Sequence, residues 1–529
     1  MKLNYKRTLL VGFAFFLICA FWQAYDNIIP KILTDKFGLP QTLSGVIMAL
    51  DNVLALFLLP LFGALSDKTK SRRGRRTPFI LIGTVVAAVA LVLITIPDNA
   101  QRVKVEAVGA TEGDAYVEAL DTLWEANPDI RVEDGGGNIF KSAKKQPLQN
   151  LISETEFKAI KATNDDTNYA KYVVPARQSY ASAVTAADPG PLVAFIGILL
   201  LLLVAMGTFR SPAVALMPDV TVKPLRSKAN AIINLMGAAG GIIILGLGIV
   251  FGTGKVANSL MSYTLFFSIV AGVMLVSLLV FMLFVKEPQW ASEMAAESQR
   301  LGLEEQNEDE NAGDRKTSKD ENAGDRKLSK GEMISLALIL CSVVFWFMGY
   351  NAVTSKYSVY AGSVLNRDYN TTLLIANAAA IVSYLPIGLL SSKFGRKKMI
   401  LTGVVILAGS FLAASFLRAS SPAMLMNVLF ATAGIGWATI NVNSYPMVVE
   451  LSRGGNVGRY TGFYYTASMA AQVVTPVLSG VFLDIRFTTL FPYATIFVIL
   501  AFFTMLPVRH GDAKPVAKDT VIEGLGGGD

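Results

Sequence analysis

Twelve separate stretches of this chain are apolar for long enough to cross a lipid bilayer as helices, and that removes most of the folds open to its 529 residues. A spanning helix needs about 20 apolar residues. The runs begin near Leu9, Leu43, Phe79, Leu192, Ala229, Tyr263, Ile334, Thr372, Met399, Ala423, Gly458 and Leu490. Backbone N–H and C=O groups find no water in lipid and must bond within their own segment, so the pattern predicts an all-α membrane protein. Only 16% of the residues are charged, against about 25% in an ordinary soluble domain. The first run follows Lys2, Lys6 and Arg7, as the apolar core of a signal peptide would. It is longer than such a core and no small-residue cleavage pattern follows, so it reads as a retained first helix.

The same pattern narrows the function. A net charge of +7 would hint at nucleic acid in a soluble chain. Here Lys and Arg fall in alternate loops, which is a mark of membrane topology, and no nucleic-acid partner is expected. Cys19 and Cys341 both lie inside apolar runs, which leaves neither a disulfide framework nor a thiolate metal site. The one histidine, His510, lies in the C-terminal tail, so neither histidine catalysis nor a histidine metal site is expected. No Gly-x-x-x-x-Gly-Lys-Ser loop is present, so ATP is not the expected driving force. The expectation is a carrier with no cofactor and no catalytic site.

Orientation follows from the basic residues of the short loops. Lys68, Lys70, Arg72, Arg73, Arg75 and Arg76 follow the second run and place that loop in the cytoplasm. Counting on from there puts Lys223, Arg226 and Lys228, then Lys393, Arg396, Lys397 and Lys398, then Arg453 and Arg459 on the same side, together with both termini. The chain divides into helices one to three (1–97), an extracytoplasmic insert (98–190), helices four to six (191–286), a cytoplasmic linker (287–331), helices seven to twelve (332–508) and a cytoplasmic tail (509–529). The insert holds Tyr116, Trp124, Phe140 and Phe157, an amphipathic stretch from Asp114 to Glu125 and a turn at Gly135 to Gly137. That aromatic content predicts a small folded domain. The linker repeats one polar unit, Asp309 to Lys316 and again Asp320 to Lys327, and reads as solvated.

The most informative stretch closes helix two. It runs Gly63-Ala64-Leu65-Ser66-Asp67-Lys68-Thr69-Lys70-Ser71-Arg72-Arg73-Gly74-Arg75-Arg76-Thr77-Pro78-Phe79. Gly63 lets two helices approach closely, Asp67 can meet the positive end of a neighbouring helix, and Arg72, Arg75 and Arg76 can pair with acids at cytoplasmic helix ends. The stretch resembles the signature loop of the major facilitator superfamily. Its extra residues before Gly74 are similar to those of the sucrose/proton symporters and their bacterial relatives, and less closely to the glycoside-pentoside-hexuronide cation symporters.

The pattern returns after helix eight as Gly388-Leu389-Leu390-Ser391-Ser392-Lys393-Phe394-Gly395-Arg396-Lys397-Lys398, with Ser392 in the place of Asp67. A second pair closes helices four and ten: Asp219 with Arg226, and Glu450 with Arg459. The resemblance implies two pseudo-symmetric six-helix bundles that rock about a central site, with Gly63, Asp67, Arg72, Arg75, Arg76, Asp219, Arg226, Gly388, Arg396, Glu450 and Arg459 at the cytoplasmic gate. It covers the helical spans but neither the insert nor the duplicated linker. In one place the chain departs from the family: the arginine of helix four stands about one turn nearer the acidic residue there, where this chain has Val214. Arg210 therefore does not inherit a role.

Ionisable groups inside membrane helices mark a cavity or a partner. Asp26 lies in the outer half of helix one, Asp51 is followed by Asn52 in helix two, and Arg210 lies in the inner part of helix four. The resemblance implies a cavity lined mainly by helices one, four, seven and ten. A sugar needs hydrogen-bond partners for its hydroxyls and aromatic faces for its C–H surface. Trp22, Gln23, Asp26 and Asn27 offer these on helix one, Trp346, Tyr350 and Asn351 on helix seven, and Trp437, Asn441 and Asn443 on helix ten. The same aromatics could instead anchor at the interface, and the Asn could bond neighbouring helices. Asp26 and Asp51 are the candidates for proton exchange. The expectation is a monomeric carrier in the lipid bilayer of a bacterial cytoplasmic membrane, moving a sugar or glycoside, a disaccharide first, with H+ as coupling ion and Na+ as the alternative. Efflux of another small molecule, or a receptor sensing ligand through the insert, are the rivals.

Overall fold

The computed structural model describes residues 3–132, 142–163, 166–222, 225–300, 329–451 and 457–511. The long helices are α1 (Tyr5–Lys31), α2 (Gln41–Lys68), α3 (Thr77–Leu93), α4 (Gly190–Asp219), α5 (Arg226–Phe251), α6 (Thr264–Phe284), α7 (Lys330–Ser363), α8 (Tyr369–Phe394), α9 (Arg396–Ala414), α10 (Ala423–Val449), α11 (Val457–Ile485) and α12 (Leu490–Met505). Among the described residues, 11 of the helical segments are long and apolar enough to span a membrane. The remaining one, α8, packs against α10 and completes the second set of six. Local chemistry starts several of them: Asn4 Oδ1 accepts from Arg7 N at 3.2 Å at the head of α1, Ser329 and Glu332 form a capping box at the head of α7, and Pro78 takes the first turn of α3.

The packing repeats. In the first half α1 lies against α5 and α6, α3 against α4 and α6, and α2 against α4. In the second half α7 lies against α11 and α12, α9 against α10 and α12, and α8 against α10. Each helix number rises by six, so the two bundles are images of one another, and each has its own buried core. The halves meet along α2 with α11, α5 with α8, and α1 with α7.

Helices alternate between two faces. One face carries the basic loops and the outer ends of α1 and α12, and the other carries the insert. Among the described residues, hydrogen bonds between the halves gather on the insert face. Asp484 of α11 accepts from Gln41 N and Thr42 N, both at 2.7 Å, and from Thr42 Oγ1 at 2.5 Å. Lys356 Nζ of α7 donates to Gln41 O at 3.0 Å. Thr253, just past α5, bonds Asn370 Nδ2 and the Tyr369 hydroxyl of α8, both at 3.1 Å. A Cβ at Gly45 would overlap the Pro476 carbonyl, and one at Gly480 the Gln41 carbonyl. This close approach closes the insert face.

The insert begins by prolonging the third span. A helix over Thr95–Lys104 continues α3 after a one-residue step, so the polar segment foreseen from residue 98 is helical at its start. There follow a helix over Gly113–Ala126, a two-stranded antiparallel hairpin in which Ile130 pairs with Gln146, and a helix over Val174–Ala187. They enclose a core of Val105, Leu120, Leu123, Ile130, Leu148 and Phe157. Phe140 and the Gly135 to Gly137 turn lie outside the described residues, as do residues 301–328 and with them both copies of the linker repeat.

The seam predicts its own test. Gly45→Ala should cost about 1–3 kcal/mol through overpacking and lower the melting temperature in detergent. Gly197→Ala, where a Cβ meets nothing within 4 Å, should leave it unchanged or raise it.

Candidate functional site

Between the halves lies a cavity of about 230 Å³, lined by Trp22 and Asp26 of α1, Met48, Asp51 and Asn52 of α2, Arg210 of α4, Asn351, Thr354 and Ser355 of α7, and Gln472 and Pro476 of α11. Helical spacing explains the selection. Trp22 and Asp26 are four residues apart and share a face, while Gln23 and Asn27 are turned onto neighbours: Gln23 lies against Gly241 of α5, and buried Asn27 donates to Gln23 O at 2.7 Å. Asn351, Thr354 and Ser355 follow the same rule on α7.

Charge and donors converge here. The Arg210 guanidinium stands 5.3 Å from the centre of the Trp22 ring, a cation–π contact that orients both. Asp51 Oδ1 accepts from Asn52 N and Nδ2, both at 2.6 Å. Trp22 Nε1 and Asn351 Nδ2 are buried donors with no partner among the described residues. A buried donor left unpaired is costly, and these two belong to residues that line the cavity.

Of the residues singled out from the sequence, the structure brings Trp22, Asp26, Asp51, Asn52, Arg210 and Asn351 to one cavity. It does not bring Gln23, Asn27, Trp346, Tyr350, Trp437, Asn441 or Asn443 to its lining. Trp346 is fully buried in the core of the second half. Tyr350 and Trp437 stack face to face at 3.7 Å and so occupy each other's rings. Asn443 is buried and donates to Thr439 O at 2.8 Å, and Asn441 is exposed. The lining comes from α1, α2, α4, α7 and α11, and α10 adds nothing to it. Thr354 and Ser355 were legible as neighbours of Asn351 on one helix face. Gln472 carried no sequence signal.

A second cluster holds the basic face of the first half. Asp219, at the end of α4, accepts from Arg75 Nη2 at 2.7 Å and Arg76 Nε at 2.8 Å. Arg76 also pairs with Asp67 and donates to Ser66 Oγ. The N-terminus of α3 is met by Glu287, which accepts from Arg76 N and Thr77 N, both at 2.8 Å, and from Thr77 Oγ1 at 2.7 Å. This corrects the sequence expectation: Asp67 meets an arginine side chain, and the carboxylate at the positive helix end comes from beyond α6. Gly74, at φ +106°, is required because a Cβ would overlap Glu287. Gly63 packs beside Ser211, whose Oγ a Cβ would meet at 3.0 Å. Arg72 is exposed. In the second half Arg396 Nη1 meets Glu450 at 2.8 Å, and Gly388 is buried. The side chains of Arg226, Ser392 and Arg459 lie outside the described set.

Two six-helix images closed around a polar cavity define a membrane carrier. The sequence matches the MFS_1 like family over residues 12–491, and the chain belongs to that family, within the major facilitator superfamily. It is therefore a multi-pass membrane protein of a transporter family. Its curated relatives match over short segments. The putative glycoside/cation symporter YagG of Escherichia coli (strain K12) is 36% identical over 76 residues, 14% of this chain and 16% of that protein. Proton-associated sugar transporter A of Homo sapiens is 41% identical over 59 residues, 11% of this chain and 8% of that protein. The chain thus spans a sixth or less of these relatives. Among solved structures, the inward open xylose transporter XylE from E. coli superposes with a TM-score of 0.57 at 13% identity, covering 99% of both chains. A D-xylose-proton symporter superposes with a TM-score of 0.55 at 14% identity, covering 96% of this chain and 99% of that one. At such identities the likeness shows the fold.

The shared anion gives a sharp contrast. Asp219→Asn leaves the buried Arg76 guanidinium without its main partner and should cost roughly 3 kcal/mol, read as a lower melting temperature. Asp67→Asn, at a side chain 56% exposed, should cost about 1 kcal/mol or less.

Proposed function

We propose that the chain is a secondary active transporter that moves a sugar or glycoside across a bacterial cytoplasmic membrane by alternating access, coupled to protons. The observation that carries this is the pair of unpartnered donors, Trp22 Nε1 and Asn351 Nδ2, one from each half, in a cavity that also offers Asp26, Asp51, Asn52, Thr354, Ser355 and Gln472. Alternating hydroxyl partners and one aromatic face suit a polyol. Efflux of an amphipathic compound would need a mainly apolar wall. The similar proteins, a putative glycoside/cation symporter and a proton-associated sugar transporter, support the same substrate class.

The sequence resemblance favours a disaccharide. The cavity is smaller than the range of about 300–1,000 Å³ that encloses drug-sized ligands, which favours one ring in the site and the second toward the basic face. With the basic face in the cytoplasm, both termini are internal and the closed insert face is external. Arg210, with no carboxylate at contact distance among the described residues, stands near Asp26 and Asp51 and is the internal counter-charge available when either carboxyl gives up its proton. Such an exchange makes uptake follow the proton gradient. The cavity is complete within one chain, which supports a monomer as the working unit.

The test is uptake of labelled disaccharides and monosaccharides into proteoliposomes under an imposed inward proton gradient, with a sodium gradient in parallel. Concentrative uptake abolished by a protonophore is the expected result, and Asp26→Asn or Asp51→Asn should abolish accumulation while sugar exchange survives. Trp22→Ala should raise KM about tenfold or more, the equivalent of about 1.4 kcal/mol. Absence of both uptake and exchange for every sugar, with folded protein verified, rejects the sugar reading.

A further inference from the structure

The insert has no counterpart in the second half, where residues 415–422 alone join α9 to α10. Its contacts with the two halves differ in kind. Toward the first half they are buried and many. Lys36 Nζ donates to both oxygens of Asp98 at 2.6 and 2.8 Å, with both side chains fully buried. Gln101 Nε2 donates to Lys36 O at 2.9 Å, and Gln178 Nε2 donates to Asp35 Oδ1 at 2.7 Å. The insert core also takes in Val256 and Leu260 from the α5–α6 connection.

Toward the second half, the contacts among the described residues are neutral hydrogen bonds and an apolar approach. Asn366 Nδ2 donates to Asp166 O at 3.0 Å, Ala143 N donates to Ile485 O at 3.1 Å, and Val174 faces Val359 and Gly362 across a narrow crevice. Their positions matter. Ile485 is the neighbour of Asp484, which caps α2, and Asn366 lies in the α7–α8 turn just ahead of Tyr369 and Asn370, which bond Thr253. The two hydrogen bonds thus lie beside the two junctions that close this face.

We infer that the insert is a moving part of the gate on its own face: it travels with the first half and parts from the second half whenever the cavity opens there. The inference rests on the alternating-access reading. If the halves separate as bodies, either the insert leaves the second half or it tears from the first, and the buried Lys36–Asp98 pair together with the shared core resists the second course. The bonds at Asn366 and Ile485 are exchanged for water at each opening and re-form at each closure.

The experiment uses the full chain with Cys19→Ser and Cys341→Ser. Ala143→Cys with Ile485→Cys places two thiols where the insert meets α11. Oxidation in proteoliposomes should reduce net sugar uptake at least tenfold, reductant should restore it, and the single-cysteine chains should not respond. Undiminished uptake with the cross-link verified by mass spectrometry overturns the inference. A second measurement needs no substrate: spin labels at Glu118→Cys on the insert and Ser420→Cys between α9 and α10, compared with and without Asp484→Asn. Freeing the start of α2 should enlarge a longer-distance population, and one unchanged distance in both chains overturns the inference. A parent protein that moves no sugar rejects the functional reading instead, and the distances then decide this inference alone.

Discussion

The first N–H groups of a helix have no partner within it, and for α2 the shortfall is met from the opposite half. Asp484 accepts from Gln41 and Thr42, and Lys356 takes the Gln41 carbonyl. Gly45 and Gly480 bring the two backbones close enough for this to happen. Closure of the insert face, the enclosure of the cavity behind it and the position of α7 all depend on that junction. It is also reversible in principle, because helix-terminal N–H groups and a carboxylate can both be satisfied by water when the halves part.

Much of this fold was legible before any coordinates. Apolar runs of spanning length can become little else than helices, and the repeated Gly-Arg-rich loop announced two related halves. What the runs could not give was azimuth. Asp26 and Asn27 are adjacent in sequence, yet one faces the cavity and the other bonds its own helix, because a step of one residue turns a side chain about 100° around the axis. The same limit explains why Tyr350 and Trp437, attractive as sugar platforms, turned out to cover each other. Glu287 was missed for a different reason: a lone carboxylate after an apolar run is indistinguishable from the start of a polar linker until its partners 210 residues earlier are known.

The two bundles are alike in packing and unlike in charge. In the first half one carboxylate, Asp219, serves two arginines, and Glu287 closes the α3 terminus below them. Among the described residues of the second half, Arg396 meets Glu450 at the equivalent place. Packing symmetry follows from duplicated apolar patterns, which lipid imposes equally on both halves. Charge networks sit in the loops, where membrane topology asks only for basic residues on the cytoplasmic side, and each half meets that demand with its own partners.

The insert also changes how the molecule can be seen. A carrier of 56.9 kDa whose mass lay wholly within a detergent belt would offer an electron micrograph almost nothing to align on, and its pseudo-symmetric halves would be confused with one another. A folded domain continued from α3 and packed on its own core projects from one face and belongs to one half. The protein carries its own fiducial, and particle images could be oriented, and its halves told apart, without an added antibody fragment.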